Sequence, residues 1–265
     1  MPTTHEVSLA EELLESDSRY FESGAVLETL PGAAIARMPG LEALAAACVV
    51  HRVRPPDLSP PLGEWLERTE GRLAKVGCPR ARLYLQADVP ALVAALAERG
   101  YAPSREIGFL RRCPPEPVPL GDCRFDPVVT EADWDAKVQL HRACAVGPDG
   151  HTSRAEEWVE LEYRKAAAGY MTPYLARLDG AVCGAVSVAE SPHLARLKNI
   201  VVHPTFRRRG VGAQGVRHLL RVGQSRGKRA VGVFGIEGAP GALLYRSCGF
   251  HEVTAQTEWV RDLAL

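Results

Sequence analysis

The densest chemistry in the sequence lies in Ile200-Val201-Val202-His203-Pro204-Thr205-Phe206-Arg207-Arg208-Arg209-Gly210-Val211-Gly212. A short apolar run ends before a proline, three arginines follow, and two glycines one residue apart open what reads as a helix. The first N–H groups of a helix lack internal partners and point out of its end. Glycine lets a large anion approach that backbone, the helix dipole adds partial positive charge, and arginine supplies a permanent one. Together they make a cradle for a pyrophosphate. The glycines alone are a weak signal; their place between an apolar strand and an amphipathic helix gives the pattern weight. A nucleic-acid patch is the competing reading of the three arginines, but no basic, aromatic-interleaved surface accompanies them.

Such a cradle needs a strand before it and a helix after it. Val216, Leu219 and Leu220 give the helix a buried face, and Gly227 closes it. Upstream, Asp179-Gly180 lies between the apolar runs 174–178 and 182–188, which predicts a hairpin. A third strand covers 195–202. Ser153-Arg154-Ala155-Glu156 has the form of a capping box and predicts a helix running toward Ala168. Downstream come a strand at 229–234, a short helix at 242–247 capped by Gly249, and final strands from 251 to 260.

Cys113-Pro114-Pro115-Glu116-Pro117-Val118-Pro119-Leu120-Gly121-Asp122 excludes a helix or a central strand and predicts a stiff connector. We divide the chain there, into 1–113 and 123–265 with 114–122 as linker. In the first part a strand at 82–85, a helix at 90–99 capped by Gly100 and a strand at 106–112 repeat the order seen after Val231. Gly100-Tyr101 answers Gly249-Phe250, which reads as a degenerate second copy of one fold. Residues 11–70 offer no chemistry.

The chain of 265 residues carries 32 basic and 32 acidic side chains. That balance gives no global field to attract nucleic acid or a membrane. No apolar run approaches the ~18 residues of a spanning helix, and the N-terminus lacks the form of a signal peptide. Seven cysteines, odd in number and without a CxxC, predict a reduced cytoplasmic protein with no disulfide framework and no metal site.

Arg207, Gly210 and Gly212 match the R/Q-x-x-G-x-G/A motif of the GNAT acetyltransferase superfamily, and Val202-His203-Pro204 matches its approach strand. Leu244-Tyr245-Arg246-Ser247-Cys248-Gly249-Phe250 resembles the family's closing Y-x-x-x-G-F element. The resemblance covers about half the chain, and the whole is similar to tandem GNAT proteins in which one copy has lost its motif. It implies an α/β fold with a mixed, mostly antiparallel sheet flanked by helices, in two tandem copies, and a co-substrate, acetyl-CoA or another acyl-CoA, with no metal. Backbone amides from Arg209 through Gly210, Val211 and Gly212 to Ala213 would hold the pyrophosphate, with Arg207 and Arg208 alongside. Val201 and Val202 would pair with the pantetheine arm as an added strand does. Tyr245 would protonate the departing thiolate, and an N–H near Val202 would stabilise the oxyanion. Leu96 stands at the Tyr245 position of the first copy, which therefore has no acid.

The general base is open. The strand that carries a glutamate in some relatives has Val233 here. Glu190, Glu237 and a water held by Asn199 are the candidates. His203 reads as a surface loop residue. His151 lies on a loop of the substrate side, and a lone loop histidine is usually only solvated. Cys183 and Cys248 read as buried rather than nucleophilic. The implied acceptor is an amine on a small molecule or a peptide. The alternatives are a longer acyl-CoA, a donor carried on an acyl carrier protein, or a protein that binds acyl-CoA without turnover.

Overall fold

The computed structural model describes residues 4–54, 61–87, 89–119, 121–144 and 154–263. The chain forms two compact units, each assembled from two stretches: Met1–Ser16 with Gly108–Thr254, and Asp17–Ile107 with Ala255–Leu265.

The first unit contains β6 (Arg124–Pro127), α4 (Glu131–Ala143), α5 (Ala155–Ala167), β7 (Met171–Leu178), β8 (Ala181–Glu190), β9 (Leu194–Val202), α6 (Val211–Ser225), β10 (Ala230–Ile236) and α7 (Pro240–Ser247). To these it adds the start of α1 (Thr4–Glu22) and parts of β5 (Ala102–Arg112) and β11 (His251–Asp262). Strands run in the order β5-β10-β9-β8-β7-β6, antiparallel from β6 to β9 and parallel between β9 and β10. The predicted hairpin is present, with Asp179 at φ 50° and Gly180 at φ 81° in its turn. Two positive φ values suit a right-twisted hairpin, and Asp-Gly tolerates them best.

Helices cover both faces. Gly215 lets α6 lie close on the sheet, since a Cβ there would come within 2.9 Å of Val186 Cγ1. On the other face Ser187 of β8 donates to Glu162 of α5 at 2.8 Å, and Lys137 of α4 lies 3.0 Å from the same carboxylate. Lys137 and Glu162 are both fully buried. Lys137→Met would leave an uncompensated buried charge, at a cost of about 3–5 kcal/mol. The urea midpoint should fall accordingly, and Lys137→Met with Glu162→Leu should recover most of the loss. A double variant no better than the single would show that the ion pair itself is not the source.

His218 of α6 stacks on Phe125 at 4.5 Å and meets Tyr174 edge-on at 4.6 Å. Burial, followed by the charge of Arg221, pushes its pKa from 6.5 down to about 4. The fold thus holds a neutral imidazole that the unfolded chain protonates below about pH 6.5. The resulting stability is complete above that pH and is lost as pH falls toward 4, on the order of 2 kcal/mol after allowing for partial solvent access. His218→Phe should flatten the fall in urea midpoint between about pH 6.5 and 4.5. An unchanged slope would assign the acid sensitivity to other groups.

The helix predicted toward Ala168 is α5. Its N-cap is Arg154, without a side-chain cap, in place of the predicted Ser153, which lies outside the described residues; a capping box is formed by Thr130 with Asp133 at the start of α4. The Pro-rich segment is fastened along α6: Gln224 donates to Pro114 O at 2.5 Å and Glu116 O at 2.6 Å, and Gln214 accepts from Cys123 N–H at 2.8 Å.

The second unit contains β1 (Val26–Leu30), β2 (Ala33–Arg37), β3 (Cys48–His51), α2 (Leu62–Lys75), β4 (Arg80–Leu85) and α3 (Pro90–Glu98), with the remaining parts of β5 and β11. β3 and β4 are parallel, as β9 and β10 are. The helix ends repeat in detail. After α3, Tyr101 N–H donates to Leu96 O and Gly100 has φ 80°; after α7, Phe250 N–H donates to Tyr245 O and Gly249 has φ 79°. After α2, Cys78 N–H donates to Leu73 O; after α6, Lys228 N–H donates to Gly223 O. The repeat thus reaches into 11–70, where the sequence showed no chemistry. There α2 opens behind Pro61 instead of a glycine pair.

One expectation is corrected here. Cys48 and Cys78 form a disulfide, Cα atoms 6.8 Å apart. Cysteine spacing does not reveal which pairs the fold brings together, and here the turn closing α2 returns the chain to β3. Cys113, Cys123, Cys144, Cys183 and Cys248 are free. Among the described residues no helix is long and apolar enough to cross a membrane, and no side-chain group has the make-up to hold a metal ion.

Candidate active site

β9 and β10 pair at only three positions: Leu194 with Ala230, Ala195 with Val231, and Arg196 with Gly232. β9 continues to Val202 and β10 to Ile236, so the strands part beyond Arg196. The β8–β9 register slips between Ala185 and Ser187, and Asn199 has φ 52°. A bulge bends a strand and sharpens its twist, which turns β9 away. His203 N–H donates to Cys183 O at 3.0 Å. The preceding pair, Gly184 with Val202, is then of the kind without mutual hydrogen bonds, and Val202 turns its N–H and C=O away from β8 toward the opening. The C=O is engaged by Arg207 Nε at 3.3 Å and Cys144 Sγ at 3.5 Å. The N–H faces the gap.

At that end of β9 the chain makes one 3-10 turn, Pro204–Phe206, and His203 caps it, its Nδ1 accepting from Thr205 N–H at 3.3 Å. His203 therefore shapes the loop. Arg208 at φ 64° and Gly210 at φ 78° are both left-handed, and Gly210 caps α6. Left-handed residues interleaved in a turn aim successive N–H groups to one side, as in anion-binding concavities. All three arginines are exposed, and Arg209 lies 5.2 Å over the Phe206 ring. No carboxylate among the described residues pairs with Arg208 or Arg209. Gly184 admits the first turn of α6, since a Cβ there would stand 3.3 Å from Val211 Cγ1 and 2.6 Å from Val201 O.

Tyr245, on α7, is 4% exposed. Its ring meets Phe109 and Phe250 at 5.9 and 6.1 Å and packs over Gly235 of β10, where a Cβ would stand 3.2 Å from Tyr245 Cε2. Burial, then the neighbouring Cys248, raises its hydroxyl pKa well above the ordinary value. It is a neutral donor at any physiological pH, and no described residue hydrogen-bonds it.

A glycine-opened helix at the mouth of two parting parallel strands fixes the architecture, and residues 134–250 match the acetyltransferase (GNAT) family. Residues 134–250 are a GNAT domain. No curated protein matches the chain. Among solved structures it is similar over 97% of its length to a GCN5-related N-acetyltransferase from Kribbella flavida, covering 96% of that chain at 14% identity and TM-score 0.67. A functionally unknown conserved protein from Staphylococcus epidermidis gives TM-score 0.69 at 13% identity, covering 91% of this chain and 95% of that one. A tandem GNAT protein from the clavulanic acid biosynthesis pathway gives TM-score 0.56 at 14% identity, with 88% and 79% covered. These likenesses extend the GNAT fold beyond the matched segment to most of the chain.

The two candidate carboxylates lie at opposite ends of the GNAT opening. Glu190 pairs in register with Ala195, at the closed end, and is held by Arg226 and by Lys228 at 3.5 Å. Five residues of strand, roughly 16 Å, separate that level from Ile200. Glu237 follows β10 at the open end and is exposed. His151 lies outside the described residues. Sequence reasoning passed over Arg196, which is 1% exposed at the vertex where the strands part. Its guanidinium donates to Ser16 Oγ at 3.2 Å and lies 5.2 Å from the Phe234 ring centroid. A charge inside Leu194-Ala195-Arg196-Leu197 was the available signal.

Proposed function

We propose that the GNAT domain transfers an acyl group, acetyl in the first place, from acyl-CoA directly to an amine. The reading rests above all on the parting of β9 and β10 beside a helix start with free N–H groups and two arginines that no described carboxylate pairs. The amides of Arg209, Gly210, Val211, Gly212 and Ala213 hold the pyrophosphate, and Arg207, Arg208 and Arg209 shape and charge the cradle. The outward backbone of Val202, with Val201 fixing it to β8, pairs with the pantetheine arm. The thioester carbonyl then lies against the Val202 N–H, which stabilises the oxyanion formed when the amine attacks. When the intermediate collapses, the C–S bond breaks and Tyr245 gives its proton to the sulfur.

Of the two carboxylates, Glu237, beyond the open end of β10, is the better placed to take the amine's proton, directly or through water held near Asn199; Glu190 lies at the closed end. The chain reads as copies 1–113 and 123–265 joined by 114–122, the first with Leu96 for Tyr245 and no glycine pair. Since acyl-CoA is the donor, we place the reaction in the cytoplasm. The test is thiol release from acetyl-CoA and longer acyl-CoAs against a panel of amines. CoA binding without any amine-dependent release would make the protein a binder and overturn the proposal.

A further inference from the structure

A cleft of about 450 Å3 lies between α4 and α5 and shares no residue with the proposed cradle. That volume is in the range of small-molecule sites. Trp134 and Tyr163 line it and meet edge to face, ring centroids 5.3 Å apart and planes at 83°. The two rings therefore present surfaces at right angles. Tyr163 is 49% exposed, a large ring that the fold leaves in water. Val138 and Val159 add aliphatic wall.

Carboxylates stand around these rings: Glu131 and Asp135 from α4, Glu156 and Glu160 from α5. Glu156 is paired with Arg142, and Glu160 with Arg164 at 2.7 Å. Glu131 and Asp135 have no cationic partner among the described residues, and no described residue lining the cleft is basic. Aromatic faces attract cations, aliphatic walls accept a methylene stem, and free carboxylates take charge-assisted hydrogen bonds from N–H donors. An anion would be repelled, and a neutral apolar guest would strip water from carboxylates without replacing it.

The geometry points to a binding site for an alkylammonium group, carried by a small amine or by a lysine side chain. The aromatic pair takes the charge and stem together, and Glu131 and Asp135 bond the ammonium protons. The site does not depend on the acyltransfer reading, and its test contains neither CoA nor turnover.

The experiment is calorimetric titration of the full chain with butylammonium, with n-butanol as its uncharged counterpart. A second arm uses Nα-acetyl-lysine N-methylamide, which separates a free amine from a peptide lysine. At least one ammonium probe should bind saturably, and butanol should not. Glu131→Gln with Asp135→Asn should weaken that binding roughly tenfold. Tyr163→Ala should weaken it roughly threefold while circular dichroism stays unchanged. Equal binding of butanol and butylammonium would reduce the cleft to an apolar slot and overturn the proposal. So would unaltered affinity in the double variant, or no saturable binding of either ammonium.

Discussion

Tyr245→Phe lowers kcat by roughly 10²–10⁴-fold, the effect of removing a positioned general acid. The phenylalanine ring keeps the contacts with Phe109, Phe250 and the Gly235 backbone, so the fold and donor binding should be unchanged. The hydroxyl has no described hydrogen-bond partner, and its loss leaves no group unsatisfied in the free protein. The defect should therefore appear in kcat more than in KM, because the proton is needed only as the C–S bond breaks. A CoA thiol is acidic for a leaving group, which favours the low end of the range. The measurement is thiol release at saturating donor and acceptor. If chemistry limits the rate and the two proteins agree within about a factor of two, the tyrosine only packs.

Gly212→Asp abolishes most CoA affinity, by roughly 100-fold or more, through repulsion and competition at the helix start. A Cβ on Gly212 would stand 3.1 Å from Leu244 Cδ2 and 3.9 Å from Val202 Cγ2. The nearest atom is the end of a flexible side chain, so Gly212→Ala should fold normally and lose little. The carboxylate of the aspartate, by contrast, brings negative charge to the N–H groups that the pyrophosphate would use. Such a residue near a helix N-terminus does not destabilise the helix, and circular dichroism should show the fold intact. Calorimetry with CoA separates the outcomes. Equal affinity for glycine, alanine and aspartate would remove this turn from the site.

How much was legible depended on how local the signal was. Asp179-Gly180 gave its hairpin, and the glycines after α3, α6 and α7 gave their caps, because each needs only the backbone preference of its own residues. The Arg207–Gly212 turn is local in the same sense: strand, turn and helix start are consecutive. The first strands were missed although Pro31-Gly32, with Gly32 at φ 71°, marks their turn, because the strands it joins do not alternate cleanly between buried and exposed residues: β1 is exposed except at Leu30, and β2 is buried or half-buried throughout. The Cys48–Cys78 bond was missed because a disulfide requires proximity across 30 residues, which spacing does not report.

What the sequence by itself determined was local: the glycines and arginines that open α6, and on α7 the tyrosine four residues before Gly249. Which groups share the opening was decided only by tertiary structure. β9 leaves β10 after three paired residues, and that parting turns the Val202 N–H into an available donor. The same register holds Glu190 at the closed end against Arg226 and Lys228, and leaves Glu237 beyond the open end of β10. In sequence the two glutamates were equivalent, each an acid at the end of a strand. Strand pairing is a contact between distant segments, and a shift along it moves a side chain by 3.3 Å per residue, so only the folded register separates them.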